Sequence, residues 1–412
     1  MKNVNRWFYA VIGVMILLLI GMVYAWSVLS TPIAQEFPDW SAAQLSLTFT
    51  IVMIFFCIGC MAGGFLAGRV DAKYYIWVSA ALFLAGFLIA SGMQSPAVLY
   101  LGFGVICGFA SGLAYNAVMG TIGKWFPDQQ GLISGVLLMG FGISSFLIGK
   151  LYQAATPEVV GAWRRSFVVL GIVTAVVLAV CGFFVKKPGP GFQPPAAARQ
   201  RKRYENPVAM EASTGVMLRK PAFWLYYLWA VLISAAGLAL VSQATGIARE
   251  IGAAVSAGTI ATVVGLISIF NGIGRVILGG LFDKAGRSFI MQTVNVLFIL
   301  ASLIMAFALR TGSFAILVAG FIVGGLAYGG VTPTNSAFVS SYYGMKHYPL
   351  NFSMINTNLI LASFGSTVAG ALYDMTGSFM STYVMMGVLA AAGILASAAI
   401  NLCDHRTRTA GK

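Results

Sequence analysis

The stretch "IFNGIGRVILGGLFDKAGR" (residues 269–287) joins an apolar helix to a short polar loop. Before Asp283 it is apolar or glycine except for one amide, Asn271, and one arginine, Arg275. A charged side chain inside a lipid-spanning helix costs at least about 2.5 kcal/mol on insertion scales. Arg275 is therefore a functional candidate, and the loop after it marks the end of one membrane crossing.

The rest of the chain has the same apolar character. Of its 412 residues, 59% are hydrophobic and only 9% are charged, whereas about a quarter of the residues in a soluble domain are charged. A spanning helix needs about 20 mostly apolar residues, and six such segments precede residue 187 and six follow residue 220. We predict an all-α membrane protein with twelve transmembrane helices in two pseudo-symmetric six-helix bundles. The predicted parts are the N-terminal bundle 1–186, the linker 187–220, and the C-terminal bundle with a short tail, 221–412.

The positive charges predict the orientation, because Lys and Arg collect in cytoplasmic loops. With a cytoplasmic N-terminus, Arg275 is the one basic residue inside a helix, and most of the other basic residues fall on the cytoplasmic side. The outer side holds only Lys150, Arg164, Arg165, Arg249 and Arg310. We expect both termini in the cytoplasm and a lipid bilayer as partner. Nucleic acid is excluded because no basic face with interleaved aromatic residues exists.

The two halves repeat short motifs. "GLAY" occurs at 112–115 and 325–328, and "GGFLAGRVDAK" (63–73) and "GGLFDKAGR" (279–287) both follow the second helix of a half. Matching motifs in matching places indicate a duplicated six-helix unit. The symmetry predicts that Tyr115 and Tyr328, which end the "GLAY" copies, both face a central cavity.

These features resemble the major facilitator superfamily. The loop signature is carried by Gly279, Asp283, Gly286 and Arg287, and the resemblance implies a gating role for it by ion pairing across the halves. The first copy has Gly68 where the family usually has aspartate. "NRWFYAV" and "GKWFPDQQGLISG" are similar to the monocarboxylate porter branch, including bacterial monocarboxylate transporters and the oxalate/formate antiporter group. The resemblance implies a bacterial inner (plasma) membrane location.

Arg275 is the predicted centre of the substrate site. Its permanently charged planar guanidinium matches a carboxylate in bidentate fashion, and the resembling family binds carboxylates with the matching arginine. Asn271 lies one turn earlier on the same face. Animal members typically have an aspartate there that is implicated in proton coupling, so this chain lacks the usual proton carrier.

The remaining site residues follow from the helix positions and the resemblance. In the antiporter group, a second cationic residue occupies the position of Asn358, and a tyrosine occupies the position of Phe141. One arginine among amides and tyrosines suits a monoanion better than a dicarboxylate. The further candidates are Tyr24 on helix 1, Tyr115 and Asn116 on helix 4, Phe141 on helix 5, Tyr328 on helix 10 and Asn358 on helix 11.

We predict a secondary active transporter of small monocarboxylates such as lactate or pyruvate, working by alternating access as a proton symporter. An oxalate/formate-type exchanger, a channel-like uniporter and a transporter-like carboxylate sensor remain alternatives. No P-loop, nucleophile motif or zinc spacing occurs, so we expect neither an enzyme nor a cofactor or metal. The "CIGC" cysteines, Cys57 and Cys60, are interpreted as small packing residues. The proton carrier, the preferred substrate, the transport direction and the oligomeric state stay open, with a monomer as the working expectation.

Overall fold

The computed structural model describes residues 5–40, 42–157, 159–189, 192–193 and 206–410. In these ranges, eleven helical stretches are long and apolar enough to cross a membrane. One of them, Gly258–Thr311, has 54 residues, far more than the roughly 20 that one crossing needs. Gly286 interrupts it with a non-helical backbone (φ 79°, ψ 179°), so the stretch holds two crossings. The predicted all-α fold with twelve crossings is confirmed.

The long helices follow one another in chain order. The first six are α1 Arg6–Ile20, α2 Ala42–Leu66, α3 Ala72–Ser91, α4 Gly108–Ile122, α5 Gln130–Ala155 and α6 Trp163–Gly182. The next six are α7 Pro221–Ile251, α8 257–285, α9 287–311, α10 Phe314–Gly329, α11 Tyr348–Asn356 and α12 Met380–Ala410.

Four crossings change helix type or break along their length. α1 continues as a 3₁₀ turn, and a π-helical stretch precedes α4. α10 and α11 continue as separate helices after short breaks. These additional pieces are Gly21–Ala25, Tyr100–Cys107, Val331–Tyr343, Asn358–Ala362 and Phe364–Thr376.

The described residues fall into two compact units. The first is bounded by Met1–Asp128, Val136–Arg199 and Tyr348–Met354, and the second by Gln129–Gly135, Gln200–His347 and Ile355–Lys412. The beginning of α5 thus belongs to the second unit, and most of α11 to the first. The division of the chain at 187–220 stays a prediction.

Glycines bring two helices of each unit into backbone contact. A Cβ at Gly112 of α4 would lie 1.9 Å from the Phe56 carbonyl oxygen of α2. A Cβ at Gly329 of α10 would lie 2.3 Å from the Asn271 carbonyl oxygen of α8. Small residues at such crossings let helix backbones approach closely where lipid supplies no hydrophobic drive.

These contacts also set the register of the internal repeat. Gly112 meets Phe56 and Cys60, and Gly329 meets Asn271 and Arg275 in the same pattern. Gly112 therefore corresponds to Gly329, one helical turn beyond the Gly325 that begins the second "GLAY". The symmetric placement expected for Tyr115 and Tyr328 is not found, because the two copies differ by one turn in packing register.

A carboxylate joins the first and last helices of each unit. Glu36, after α1, accepts hydrogen bonds from Trp163 Nε1 (2.6 Å) and Arg164 Nη2 (2.7 Å) at the start of α6. Glu250, in the last turn of α7, accepts from Ser378 Oγ (2.9 Å) and the Phe379 amide (3.1 Å) just before α12. The repeat thus extends to polar anchors that the motif comparison did not reveal.

The end of the linker packs against the segment between α10 and α11. The Met210 amide donates to the Tyr342 carbonyl oxygen (2.9 Å). The Glu211 carboxylate accepts from the amides of Met345 (3.3 Å) and Lys346 (3.2 Å). This part of the linker is therefore held by specific contacts. Residues 190–191 and 194–205 of the predicted linker lie outside the described residues.

A buried ion pair fastens the start of α1 to the α4–α5 loop. Arg6 donates through both terminal nitrogens to the Asp128 carboxylate, with Nη2 at 3.0 Å from Oδ2. Its guanidinium also lies 4.5 Å from the centre of the Phe126 ring. Both charged side chains are over nine-tenths buried. Their mutual attraction is therefore the main term that offsets the free-energy cost of removing both charges from water.

We predict that Asp128→Asn lowers the free energy of unfolding by about 3 kcal/mol, because it leaves the buried Arg6 without its counter-charge. Thermal unfolding of the purified protein in detergent measures the effect as a fall in the midpoint. The control is Asp39→Asn, at an exposed carboxylate. Equal midpoints for the two variants would contradict the role of the pair.

Candidate functional site

Arg275 lies buried on α8, with 8% of its surface exposed. Its Nε donates a 2.8 Å hydrogen bond to Oδ1 of Asn271, one turn earlier on the same helix. An amide accepts this bond without carrying charge, so the bond orients the guanidinium but does not neutralise it. The side-chain pair predicted from the four-residue spacing is present in the structure.

The backbone around Arg275 is fixed by close helix contacts within the second unit. A Cβ at Gly329 would lie 3.0 Å from the Arg275 nitrogen, and one at Gly135 of α5 would lie 2.1 Å from the Arg275 carbonyl oxygen. A Cβ at Gly274 would lie 2.5 Å from the Leu326 carbonyl oxygen. Neighbouring backbones therefore leave no room for a side chain at these glycines, and the base of Arg275 is held rigidly.

Tyr328 of α10 is positioned by a glycine on α7. A Cβ at Gly237 would lie 2.1 Å from Tyr328 Cδ2, so the tyrosine ring rests directly on the α7 backbone. The ring is half-buried, and Gly329, the next residue, touches Asn271 and Arg275. Tyr328 thus stands beside the arginine helix, as predicted, although not through symmetry with Tyr115.

Asn358 ties α11 to α7. Its Nδ2 donates to the Ala230 carbonyl oxygen and to Ser234 Oγ, both at 3.0 Å. The side chain is fully buried, and its Oδ1 has no hydrogen-bond partner among the described residues. The amide hydrogens are therefore used in helix packing, and the buried oxygen is the part of Asn358 left for another donor.

Three of the predicted site residues form one aromatic cluster in the first unit. Phe141 makes edge-on contacts with Tyr24 (centroids 5.1 Å apart) and with Tyr115 (5.5 Å). Tyr115 and Phe141 are buried, and Tyr24 lies in the 3₁₀ stretch after α1. The structure brings these predicted residues together.

Three further aromatic residues complete the cluster and were missed in the sequence. Phe56 lies 5.1 Å from Tyr115 and 5.9 Å from Phe141, Phe49 lies 5.7 Å from Tyr24, and Phe352 stacks on Tyr115 at 5.8 Å. Phe49 and Phe56 belong to an apolar helix, in which the sequence does not distinguish a packed phenylalanine from one that faces lipid. Phe352 is far away in sequence, so spacing offers no signal for its contact.

Asn116, next to Tyr115, is directed elsewhere in the first unit. Its Nδ2 donates to the Pro349 carbonyl oxygen and to Ser353 Oγ, both at 2.7 Å. Adjacent residues of a helix point about 100° apart, which separates Asn116 from the aromatic cluster. The structure therefore does not group Asn116 with Tyr24, Tyr115 and Phe141.

Gly279 and Asp283, the first two residues of the loop signature, contact the start of α5. Both oxygens of Asp283 accept backbone hydrogen bonds at 2.8 Å, from the Gly131 and Leu132 amides. A Cβ at Gly279 would lie 2.3 Å from the Gly131 carbonyl oxygen, so the close approach requires glycine. Asp283 satisfies amides at a helix N-terminus, where a negative charge is stabilised.

Gly286 and Arg287, the other two residues, form the turn between α8 and α9 and hold the start of α9 in place. Gly286 has a positive φ of 79°, which L side chains rarely adopt. Arg287 donates from Nε to the Tyr342 hydroxyl (2.9 Å) and from Nη2 to Asp404 Oδ2 (3.2 Å) and to Asn401 Oδ1. The ion pair of Arg287 with Asp404 lies inside the second unit, and the gating role of the loop signature stays a prediction.

We predict that Gly329→Ala lowers the free energy of unfolding by about 1–3 kcal/mol, because the methyl group overpacks α10 against α8. Thermal unfolding in detergent measures the change. Gly258→Ala, on α8 with nothing within 4 Å of the added Cβ, is the matched control. A Gly329→Ala midpoint as high as the control's would contradict the tight packing around Arg275.

Comparison with known proteins bears on what such a constellation does. The family model described as Major Facilitator Superfamily matches residues 10–309 and 235–410. The oxalate:formate antiporter of Oxalobacter formigenes is 27% identical over 84% of this chain and 80% of its own length. Monocarboxylate transporter 13 of Bos taurus is 24% identical over 92% of this chain and 85% of its own.

Solved structures agree on the fold. The proton:xylose symporter XylE superposes with a TM-score of 0.70 at 14% identity, covering 95% of both chains. The Escherichia coli fucose:proton symporter FucP superposes with a TM-score of 0.64, covering 95% of this chain and 98% of its own. At this identity the likeness speaks for the fold alone.

Proposed function

Because this chain belongs to the Major Facilitator Superfamily, we propose that it is a secondary active transporter of small monocarboxylates of the lactate and pyruvate type. The observation that carries the proposal is the buried guanidinium of Arg275, oriented by a neutral amide at 2.8 Å. Arginine keeps its charge under all physiological conditions. A carboxylate is the complementary ligand, since its two oxygens match the guanidinium fork.

The charge of the candidate site favours a single carboxylate. Asn271 and Asn358 are neutral, and the Asn358 amide donates both of its hydrogens to α7. One guanidinium balances one carboxylate, whereas a dianion such as oxalate would keep an unbalanced charge in a low-dielectric site.

We propose alternating access for the transport cycle. Substrate binding at Arg275 would place a carboxylate against the buried guanidinium and so favour closure around the substrate, with 1–186 and 221–402 moving as the two bundles. The surplus of basic residues on one side supports cytoplasmic termini, and the similarity to a transporter of Oxalobacter formigenes supports a bacterial inner-membrane location. The integral, multi-pass character follows from the family and the apolar helices.

Proton symport is the coupling we propose. An inside-negative potential opposes entry of an anion by about 2.3 kcal/mol per charge per 100 mV, and a co-transported proton removes that cost. With Asn271 unable to carry a proton at physiological pH, the proton travels with the substrate carboxyl group or through an acid outside the site. Lactate uptake into proteoliposomes should rise under an inward proton gradient. Uptake that ignores the gradient would eliminate symport.

An anion exchanger is the second candidate, favoured by the similarity to the oxalate:formate antiporter of Oxalobacter formigenes. Exchange requires a trans anion, so vesicles preloaded with formate would take up labelled oxalate faster than empty vesicles. Equal uptake by loaded and empty vesicles rules the exchanger out, and strong trans-stimulation by oxalate would replace the monocarboxylate proposal.

We predict that labelled lactate uptake is competed by formate, acetate and pyruvate and weakly by oxalate, and that Arg275→Lys lowers uptake at least about tenfold. Lysine keeps the charge but loses the planar fork. Arg310→Lys, at an exposed arginine in the last turn of α9, should transport as the wild type does. Unimpaired uptake by Arg275→Lys, with the same surface expression, would reject bidentate binding.

Asn271→Asp tests the charge of the site. The new carboxylate, one turn from Arg275, competes with the substrate, and we expect lactate affinity to fall about tenfold at neutral pH, or about 1.4 kcal/mol. Asn271→Ala loses the acceptor without adding a charge and should lose much less affinity. Binding curves at neutral pH compare the three proteins, and an equal affinity for Asn271→Asp and the wild type would contradict carboxylate binding at Arg275.

A further inference from the structure

The first unit contains a cavity beside the α2–α3 loop, away from the aromatic cluster. It is partly open to solvent, and the space that a water-sized group can occupy within it is about 30 Å³. The polar and loop residues that line it include Gly68, Tyr75, Asn116, Thr121, Lys124 and Lys187.

The cavity is lined by two lysines that find little balancing negative charge among the described residues. Lys124 is half-buried at the end of α4 and makes no ion pair within the described residues. Lys187 lies 4.0 Å from Asp71, but these side chains are 45% and 63% exposed. An exposed pair at this distance contributes little. Two ammonium groups therefore line one cavity, with one loosely held carboxylate nearby.

The second unit has an acid where this cavity has none. Asp283 of the second loop binds two backbone amides, and its counterpart in the first loop is Gly68. Gly68 has a φ of 88°, and a Cβ there would meet nothing within 4 Å. Pro349, another lining residue, has no amide hydrogen to offer a carboxylate. The first loop thus leaves open space beside two lysines where the second loop has a carboxylate.

Aromatic residues beside the loop place the cavity at headgroup depth. The Lys73 ammonium lies 4.9 Å from the Tyr74 ring centre and 5.9 Å from that of Trp77, and Tyr74 is 47% exposed. Tyrosine and tryptophan concentrate where a bilayer meets water. The charge bias assigns this face to the cytoplasm, whose leaflet carries anionic lipid.

We propose that this cavity is a phosphate-binding site, in which Lys124 and Lys187 neutralise the phosphate that supplies the negative charge missing at Gly68. Lysine binds phosphate as a point charge without needing a planar partner. The phosphate comes from a phospholipid headgroup or from free inorganic phosphate. The site is separate from Arg275 and stands whether or not the chain transports monocarboxylates.

Thermal unfolding of the full-length protein tests the site and its source. One arm adds inorganic phosphate to the detergent-solubilised protein, with chloride at equal ionic strength as reference. The other compares nanodiscs of phosphatidylcholine with nanodiscs that also contain phosphatidylglycerol. A rise in midpoint with inorganic phosphate identifies free phosphate, and a rise with phosphatidylglycerol alone identifies the headgroup. If neither raises the midpoint, the proposal is overturned.

Lysine variants separate the site from general surface charge. Lys124→Gln and Lys187→Gln should each weaken the apparent affinity about fivefold, the worth of one lysine near an anionic surface. Lys186→Gln removes the same charge from the neighbouring residue, which does not line the cavity, and should respond as the wild type does. An equal loss in all three variants would mean diffuse electrostatic attraction and would overturn the site.

Gly68→Asp provides an independent test, because it restores the carboxylate. The variant should lose the response to phosphate, while Gly68→Asn, with a similar backbone cost at positive φ and no charge, should keep it. Retention of the response in Gly68→Asp, or its loss in both variants, contradicts the charge replacement on which the proposal rests.

Discussion

A guanidinium that cannot lose its proton is buried in a helix that crosses a membrane, and the surrounding structure accommodates that charge. Asn271 orients Arg275 through Nε, and glycines on α10 and α5 bring neighbouring backbones against the turn that carries it. Close packing fixes the backbone turn that carries Arg275, and the bond to Asn271 sets the direction of its guanidinium.

The two halves repeat the same framework and differ in their charges. Glycine contacts between α2 and α4 match those between α8 and α10, and Glu36 and Glu250 are equivalent anchors. In the same register, Cys60 stands where the second unit has Arg275, so only one half contributes a buried cation there. The loops are likewise unequal, with Gly68 in one and Asp283 in the other. Both proposed binding sites therefore lie where the two halves depart from their internal symmetry.

Much of this was predictable from local rules. Hydropathy and the loop motif predict twelve helices and the loop between α8 and α9, and the spacing of Asn271 and Arg275 predicts that they share one helix face. Long-range partners escape such rules. Phe352 stacks on Tyr115, more than 200 residues away in sequence. Asn116 donates hydrogen bonds to Pro349 and Ser353, and the Asn358 amide donates to α7. The two "GLAY" copies align Gly112 with Gly325 in sequence, whereas the helix contacts align Gly112 with Gly329.

The most direct measurement of the central claim is an experimental structure of the protein with bound lactate. The account predicts the lactate carboxylate against the guanidinium of Arg275, with oxygen–nitrogen distances of about 2.7–2.9 Å and the Nε bond to Asn271 retained. Lactate bound elsewhere in the molecule, with no carboxylate oxygen in contact with Arg275, would contradict it.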